Sequence, residues 1–140
     1  MSEDPIFKAA RRLYGNKALE ALKRLLLARS LSEIPLEIRE AMIEYARGLY
    51  EYCEETYRIP IMEASDWKVL RGEAKQVKLT KEDIERILLE FYEGDREKVK
   101  KAIKIVEREF GIPYIVTEED MLDYLKDYIR DTIRMLDLER

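Results

Sequence analysis

The sequence predicts an all-α fold: a compact bundle of five or six helices in a single domain over residues 1–140, with an irregular arm at about 58–78. Three observations predict it. Apolar residues recur at three- and four-residue spacing along six segments. Thr80, Asp95 and Thr117 stand as helix caps ahead of the last three of these segments. Pro5, Pro35, Pro60 and Pro113 all fall at segment boundaries, so local chemistry and period agree. A chain of 140 residues buries enough surface to fold without a metal or a disulfide.

The first helix is expected over about 4–14, with Ile6, Ala10, Leu13 and Tyr14 at helical spacing, and Gly15-Asn16 interrupts it. The second runs over about 17–31 on Ala18, Leu19, Leu22, Leu25 and Leu26. The third, about 35–57, follows Pro35 in a first turn, with Ser32 nearby as a cap. Ile38, Met42, Tyr45, Ala46, Leu49 and Cys53 form its stripe. Ile43, Tyr50, Tyr52 and Tyr57 widen the apolar arc to about 180°. So wide an arc predicts a helix at the centre of the fold. Its other face carries Glu37, Glu40, Glu44, Glu51 and Glu55.

Arg58-Ile59-Pro60 ends the third helix, and the arm that follows has two readings. One is a short hairpin, WKVLR–GE–AKQVK. The other is a loop with a short helix capped by Ser65. The next helix has Thr80 at its N-cap, Asp83 at N3 and Leu79 placed to staple onto Ile84. Gly94 ends it. Asp95 then caps a helix whose buried face is Val99, Ala102, Ile103, Val106 and Phe110, closed by Gly111. Thr117 and Asp120 open the last, on Leu122, Leu125, Ile129, Ile133 and Leu136. A shift of 53 residues superposes the stripe 46, 49, 50, 53, 57 on 99, 102, 103, 106, 110, a weak internal echo.

Composition limits the chemistry. Histidine is absent, which removes the commonest general base, zinc ligand and pH switch together. Cys53 is the single cysteine, so no internal disulfide forms, and its place on the apolar stripe predicts burial. No Gly-rich phosphate loop and no nucleophile elbow occurs. The start of the chain lacks the apolar run of a signal peptide, and the longest apolar stretch, Leu25 to Ala28, is far short of a membrane span. A cytoplasmic location with no membrane partner is therefore expected. One asparagine and one glutamine, Asn16 and Gln76, beside many Glu, Lys and Arg resemble the composition of a hyperthermophile, and an archaeal source is expected.

The net charge of −4 is unevenly spread: +4 over 1–31, −6 over 32–66, +4 over 67–81, −2 over 82–111 and −4 over 112–140. Glu-x-x-Glu spacing occurs at Glu37/Glu40, Glu51/Glu54, Glu82/Glu85 and Glu90/Glu93. That is about what 21 glutamates give by chance, so no catalytic residue, cofactor or metal ligand is assigned. The function expected is a small non-catalytic interaction or scaffold protein, a subunit of a larger assembly or a homodimer. Its candidate helix-face interface is Tyr45, Gly48, Tyr52, Tyr124 and Tyr128, where phenols and a small-residue seam suit a partner. The alternative is an accessory nucleic-acid-binding protein. It would use Trp67 to stack on bases and Lys68, Arg71, Lys75, Lys78 and Lys81 to follow phosphates, unless the tryptophan plugs the core. A magnesium-dependent enzyme on an acidic helix face is the third reading.

Overall fold

The computed structural model describes residues 4–138 and confirms a predominantly helical protein: eight α-helices and one two-stranded sheet. Helix α1 (Pro5–Tyr14) starts on Asp4, whose carboxylate accepts from the backbone N–H of Ile6 at 2.8 Å and of Phe7 at 3.2 Å. The other Asp4 oxygen accepts from the Thr132 hydroxyl at 2.8 Å, tying the first helix to the last. Gly15, at φ +58°, ends α1. Helix α2 (Ala18–Leu25) stops six residues earlier than its period suggested, and the chain then turns through a short 3-10 segment, Leu31–Glu33. Glu33 explains the stop, because its carboxylate reaches back to the N–H groups of Arg29 and Ser30 and organises a new start there.

Helix α3 (Leu36–Tyr50) is shorter than the expected 35–57. Leu49 is 51% exposed and Cys53 is exposed, so neither belongs to the core as their spacing implied. Glu51, Glu54 and Glu55 crowd the end where the helix dipole favours cations, and the chain unwinds there into turns. It re-forms as α4 (Arg58–Ala64) and α5 (Asp66–Leu70), so the arm is mostly helical. The hairpin reading fails because Trp67–Leu70 lies in α5. The short-helix reading is nearer, although Ser65 caps nothing with its side chain. Strand β1 (Gln76–Leu79) pairs with the distant β2 (Tyr114–Thr117), antiparallel, with Val77 opposite Val116.

The remaining helices follow the predicted punctuation. Helix α6 (Lys81–Phe91) has the Thr80–Asp83 capping box, α7 (Arg96–Glu109) begins on Asp95, and α8 (Glu118–Leu138) follows a Thr117–Asp120 exchange at 3.0 and 3.2 Å. Thr117→Ala is expected to cost about 1 kcal/mol, read as a lower urea midpoint with an unchanged slope. An unchanged midpoint would show that the box contributes nothing.

Two apolar clusters hold these elements. The first gathers Ile6, Leu22, Ile38, Met42, Trp67, Leu70, Leu125 and Ile129 from α1, α2, α3, α5 and α8. The second gathers Tyr57, Ile61, Ile84, Leu88, Val99, Ile103 and Val106 from α4, α6, α7 and the turn before α4. Val77 and Tyr114, on the two strands, pack against both. Helix α3 therefore serves the first cluster only, which corrects its expected place at the centre of the whole fold. The 53-residue echo has no structural counterpart: Val99, Ala102, Ile103 and Val106 are buried, whereas Leu49 and Cys53 are not. Arg39 fastens α5 to α3 by donating to the carbonyls of Ile34 and Leu70, both at 3.0 Å. Arg71 adds an ion pair to Glu40 at 2.9 Å.

Candidate functional site

The proposed nucleic-acid contacts separate by depth. Trp67 is 1% exposed and offers no ring face to a base. A short apolar helix, Asp66–Leu70, buries four of its five residues, and the tryptophan goes with them. Lys68, Lys75, Lys78 and Lys81 are exposed around it, and Arg71 is engaged by Glu40. The arm thus keeps its cations but presents no stacking platform.

The tyrosines divide similarly. Tyr45 meets Tyr128 edge-on at 5.2 Å, and Tyr128 meets Tyr124 at 5.6 Å, so three of the five candidate residues form one aromatic row between α3 and α8. Tyr52 is 91% exposed, on the turn after α3, and stands apart. Nothing approaches within 4 Å of where a Cβ on Gly48 would be. The small-residue seam at Gly48 is therefore not used to bring a helix close.

At the end of the tyrosine row lies a cavity of about 390 Å³, between the two apolar clusters. Tyr50, Tyr57, Phe110, Tyr114 and Tyr124 give it aromatic walls, with Ile61, Met62, Val106 and Met121 between them. Arg58 enters from α4. Its guanidinium lies 4.6 Å from the Phe110 ring centre and 5.3 Å from that of Tyr50. It donates to the Tyr50 hydroxyl, to Glu55 and to Glu109, each at 3.0 Å. Burial disfavours the charge on Arg58, but Tyr50 and Glu55 outweigh it and hold the group more firmly protonated than usual. Burial likewise raises Tyr57, Tyr114, Tyr124 and Tyr128, so all four remain neutral hydroxyls.

Asp66 also lines this cavity and is only 5% exposed. The Tyr114 hydroxyl donates to its Oδ1 at 2.8 Å. Ser65 Oγ stands 2.8 Å from that same oxygen and 2.7 Å from the Ile61 carbonyl. A hydroxyl has one proton. Ser65 can therefore donate to the Ile61 carbonyl or to Asp66 at any moment, not to both. Burial raises the pKa of Asp66 above the ordinary aspartate value, and Asp120 adds to the rise, against the bonds from Ser65 and Tyr114. No side chain among the described residues donates to Asp66 Oδ2.

The sign of this shift makes Asp66 a burden on the fold. Below the ordinary aspartate value of 3.8 the carboxyl is protonated folded or unfolded. As pH rises past that value the unfolded chain releases its proton first, and stability falls until the raised native value is passed. Asp66→Asn is expected to gain ~0.5–2 kcal/mol at pH 8 and to lose that advantage near pH 3. Urea melts at both values read it, and a variant less stable than wild type at pH 8 would make Asp66 a structural anchor instead.

Three further carboxylates, Asp120, Asp123 and Asp127, line the cavity from α8. Asp120 uses one oxygen in the Thr117 box, and Asp127 pairs with the exposed Arg130 at 2.9 Å. Among the described residues no three Cys, Asp or Glu side chains converge as a metal ion requires. No helix among them is long and apolar enough to cross a membrane. Compared with known proteins, the chain matches no family model, no curated protein and no solved structure.

The sequence reading missed Asp66 and Arg58 as site residues, and it placed Phe110 on the buried face of α7, whereas Phe110 is 46% exposed at the end of that helix and lines the cavity. The only local signal for Asp66 was a lone acid between Ser65 and Trp67, followed by Val69-Leu70, in a segment too apolar to be a solvated loop.

Proposed function

We propose that this chain is a small non-catalytic binding protein that takes a positively charged group into the cavity between its two apolar clusters. One observation carries the reading: a carboxylate that is nineteen-twentieths removed from solvent faces an aromatic cavity with an oxygen free of other side chains. A buried charge without a partner is expensive, and a cation bound there would supply the partner. Aromatic faces add cation–π attraction and cover the apolar part of a ligand. The surroundings favour a cation over an anion, because the one lining cation, Arg58, is already neutralised by Glu55 and Glu109.

The reading keeps the non-catalytic character expected from the sequence, replaces the expected protein or homodimer partner by a cationic ligand, and moves the contact from the Tyr45–Tyr52 edge to the end of the tyrosine row. The test is thermal melting against matched panels of organic cations and organic anions at constant ionic strength. Cations are expected to raise the melting temperature of the wild type and not of Asp66→Asn. A rise with anions alone, or no rise with either panel, overturns the reading.

A further inference from the structure

We infer that the cavity is built for a linear aliphatic polyamine, with one ammonium sunk against Asp66 and the next ones along the acidic row of α8. The inference rests on the cation-binding reading above and adds the shape and charge number of the ligand. Asp120, Asp123 and Asp127 stand at i, i+3 and i+7, so they share one face of α8. At 1.5 Å per residue they extend over about 10 Å. Carboxylates strung out in that way do not close around a point charge, and they do not converge as metal ligands do. They match a flexible chain whose charges are separated by propylene or butylene spacers.

The aromatic walls of the cavity fit the spacers. Phe110, Tyr114 and Tyr124 line the same space as the acidic row, and their rings offer apolar faces for methylenes and cation–π attraction for the ammonium groups. Tyr57 is 2% exposed, lines the same space, and its hydroxyl makes no hydrogen bond of good geometry, although Arg58 stands beside it. Its ring adds a further aromatic wall to the cavity. A lysine side chain of a partner protein carries a single ammonium and brings backbone amides with it, which aromatic walls would not satisfy. A quaternary ammonium ion would fill the aromatic end but leave the α8 row unused.

Isothermal titration of the full chain with spermidine, putrescine, butylamine and tetramethylammonium, all at one ionic strength, tests the inference. Affinity is expected to rise by at least about tenfold with each added ammonium. Asp66→Asn is expected to weaken all three amines. The double substitution Asp123→Asn with Asp127→Asn, at exposed positions that leave the fold intact, is expected to weaken spermidine by about tenfold or more and to leave butylamine unchanged. Equal affinity for butylamine and spermidine, both lost in Asp66→Asn, would overturn the polyamine inference while the cation-binding reading stands. Tighter binding of an acetylated lysine pentapeptide than of spermidine would also overturn it, in favour of a protein ligand. Equal competition by magnesium would reduce the α8 row to a diffuse counterion surface and overturn it too. No binding of any cation removes both readings.

Discussion

Trp67→Ala is expected to destabilise the protein by about 3–5 kcal/mol, the range for emptying a fully buried aromatic site. The ring sits in the first apolar cluster with Met42, Leu70, Leu125 and Ile129 and is the largest side chain of a helix of only five residues. Its indole N–H is buried without a partner, so the favourable part of the interaction is packing and not hydrogen bonding. Trp67→Phe removes that unsatisfied donor and keeps most of the ring, and is expected to cost less than half as much. Urea denaturation of both variants reads the difference. The folded Trp67→Phe variant also decides whether the tryptophan serves nucleic acid: unchanged affinity for a labelled single strand at low salt is the expected result. A loss of that affinity with little change in stability would restore the stacking role the sequence suggested.

The second large effect is expected at Arg58. Its side chain is 18% exposed and joins the turn before α4, the end of α7 and the aromatic wall of the cavity through three hydrogen-bond partners and two ring faces. Breaking a buried pair by removing one partner costs several kcal/mol, but Glu55 and Glu109 are about two-fifths exposed and can rehydrate. Arg58→Ala is therefore expected to lose about 2 kcal/mol. Arg58→Lys restores a charge without the planar fork and is expected to recover less than half of that loss. Denaturation in low and in high salt checks the cause. If lysine recovers full stability, or if salt abolishes the wild-type advantage, Arg58 acts only as a point charge and the geometry described above is incidental.

The parts of the fold that could be read from the sequence are those fixed within one turn of helix. The boxes at Thr80–Asp83 and Thr117–Asp120, and the cap at Asp95, depend on residues three apart, and all three stand where the sequence put them. What could not be read depends on residues far apart. The alternation at Val77 and Leu79 marks a strand, but its partner lies beyond two helices at 114–117, so the local hairpin was the nearest available pairing. The apolar period through Leu49 and Cys53 continues unbroken across a place where the chain leaves the helix, because Tyr57 is drawn into a different cluster. The candidate site was half visible. Tyr124 and Tyr128 showed as an edge, while Asp66 and Arg58 became a site only when α4, α5 and β2 met. A lone aspartate in a sequence with thirty acidic residues carries no mark of burial.

The β1–β2 ladder has a mechanical consequence. The strands run antiparallel, and each passes at its C-terminal end directly into a capped helix, α6 from one and α8 from the other. These helices therefore leave from opposite ends of the ribbon. Tension between them pulls the strands lengthwise past each other and loads all four paired positions together. Tension in the other direction, across the ribbon, would open them one after another like a zip. Stretched between α6 and α8, the molecule is expected to yield last at this small sheet, with the helices unravelling on either side of it.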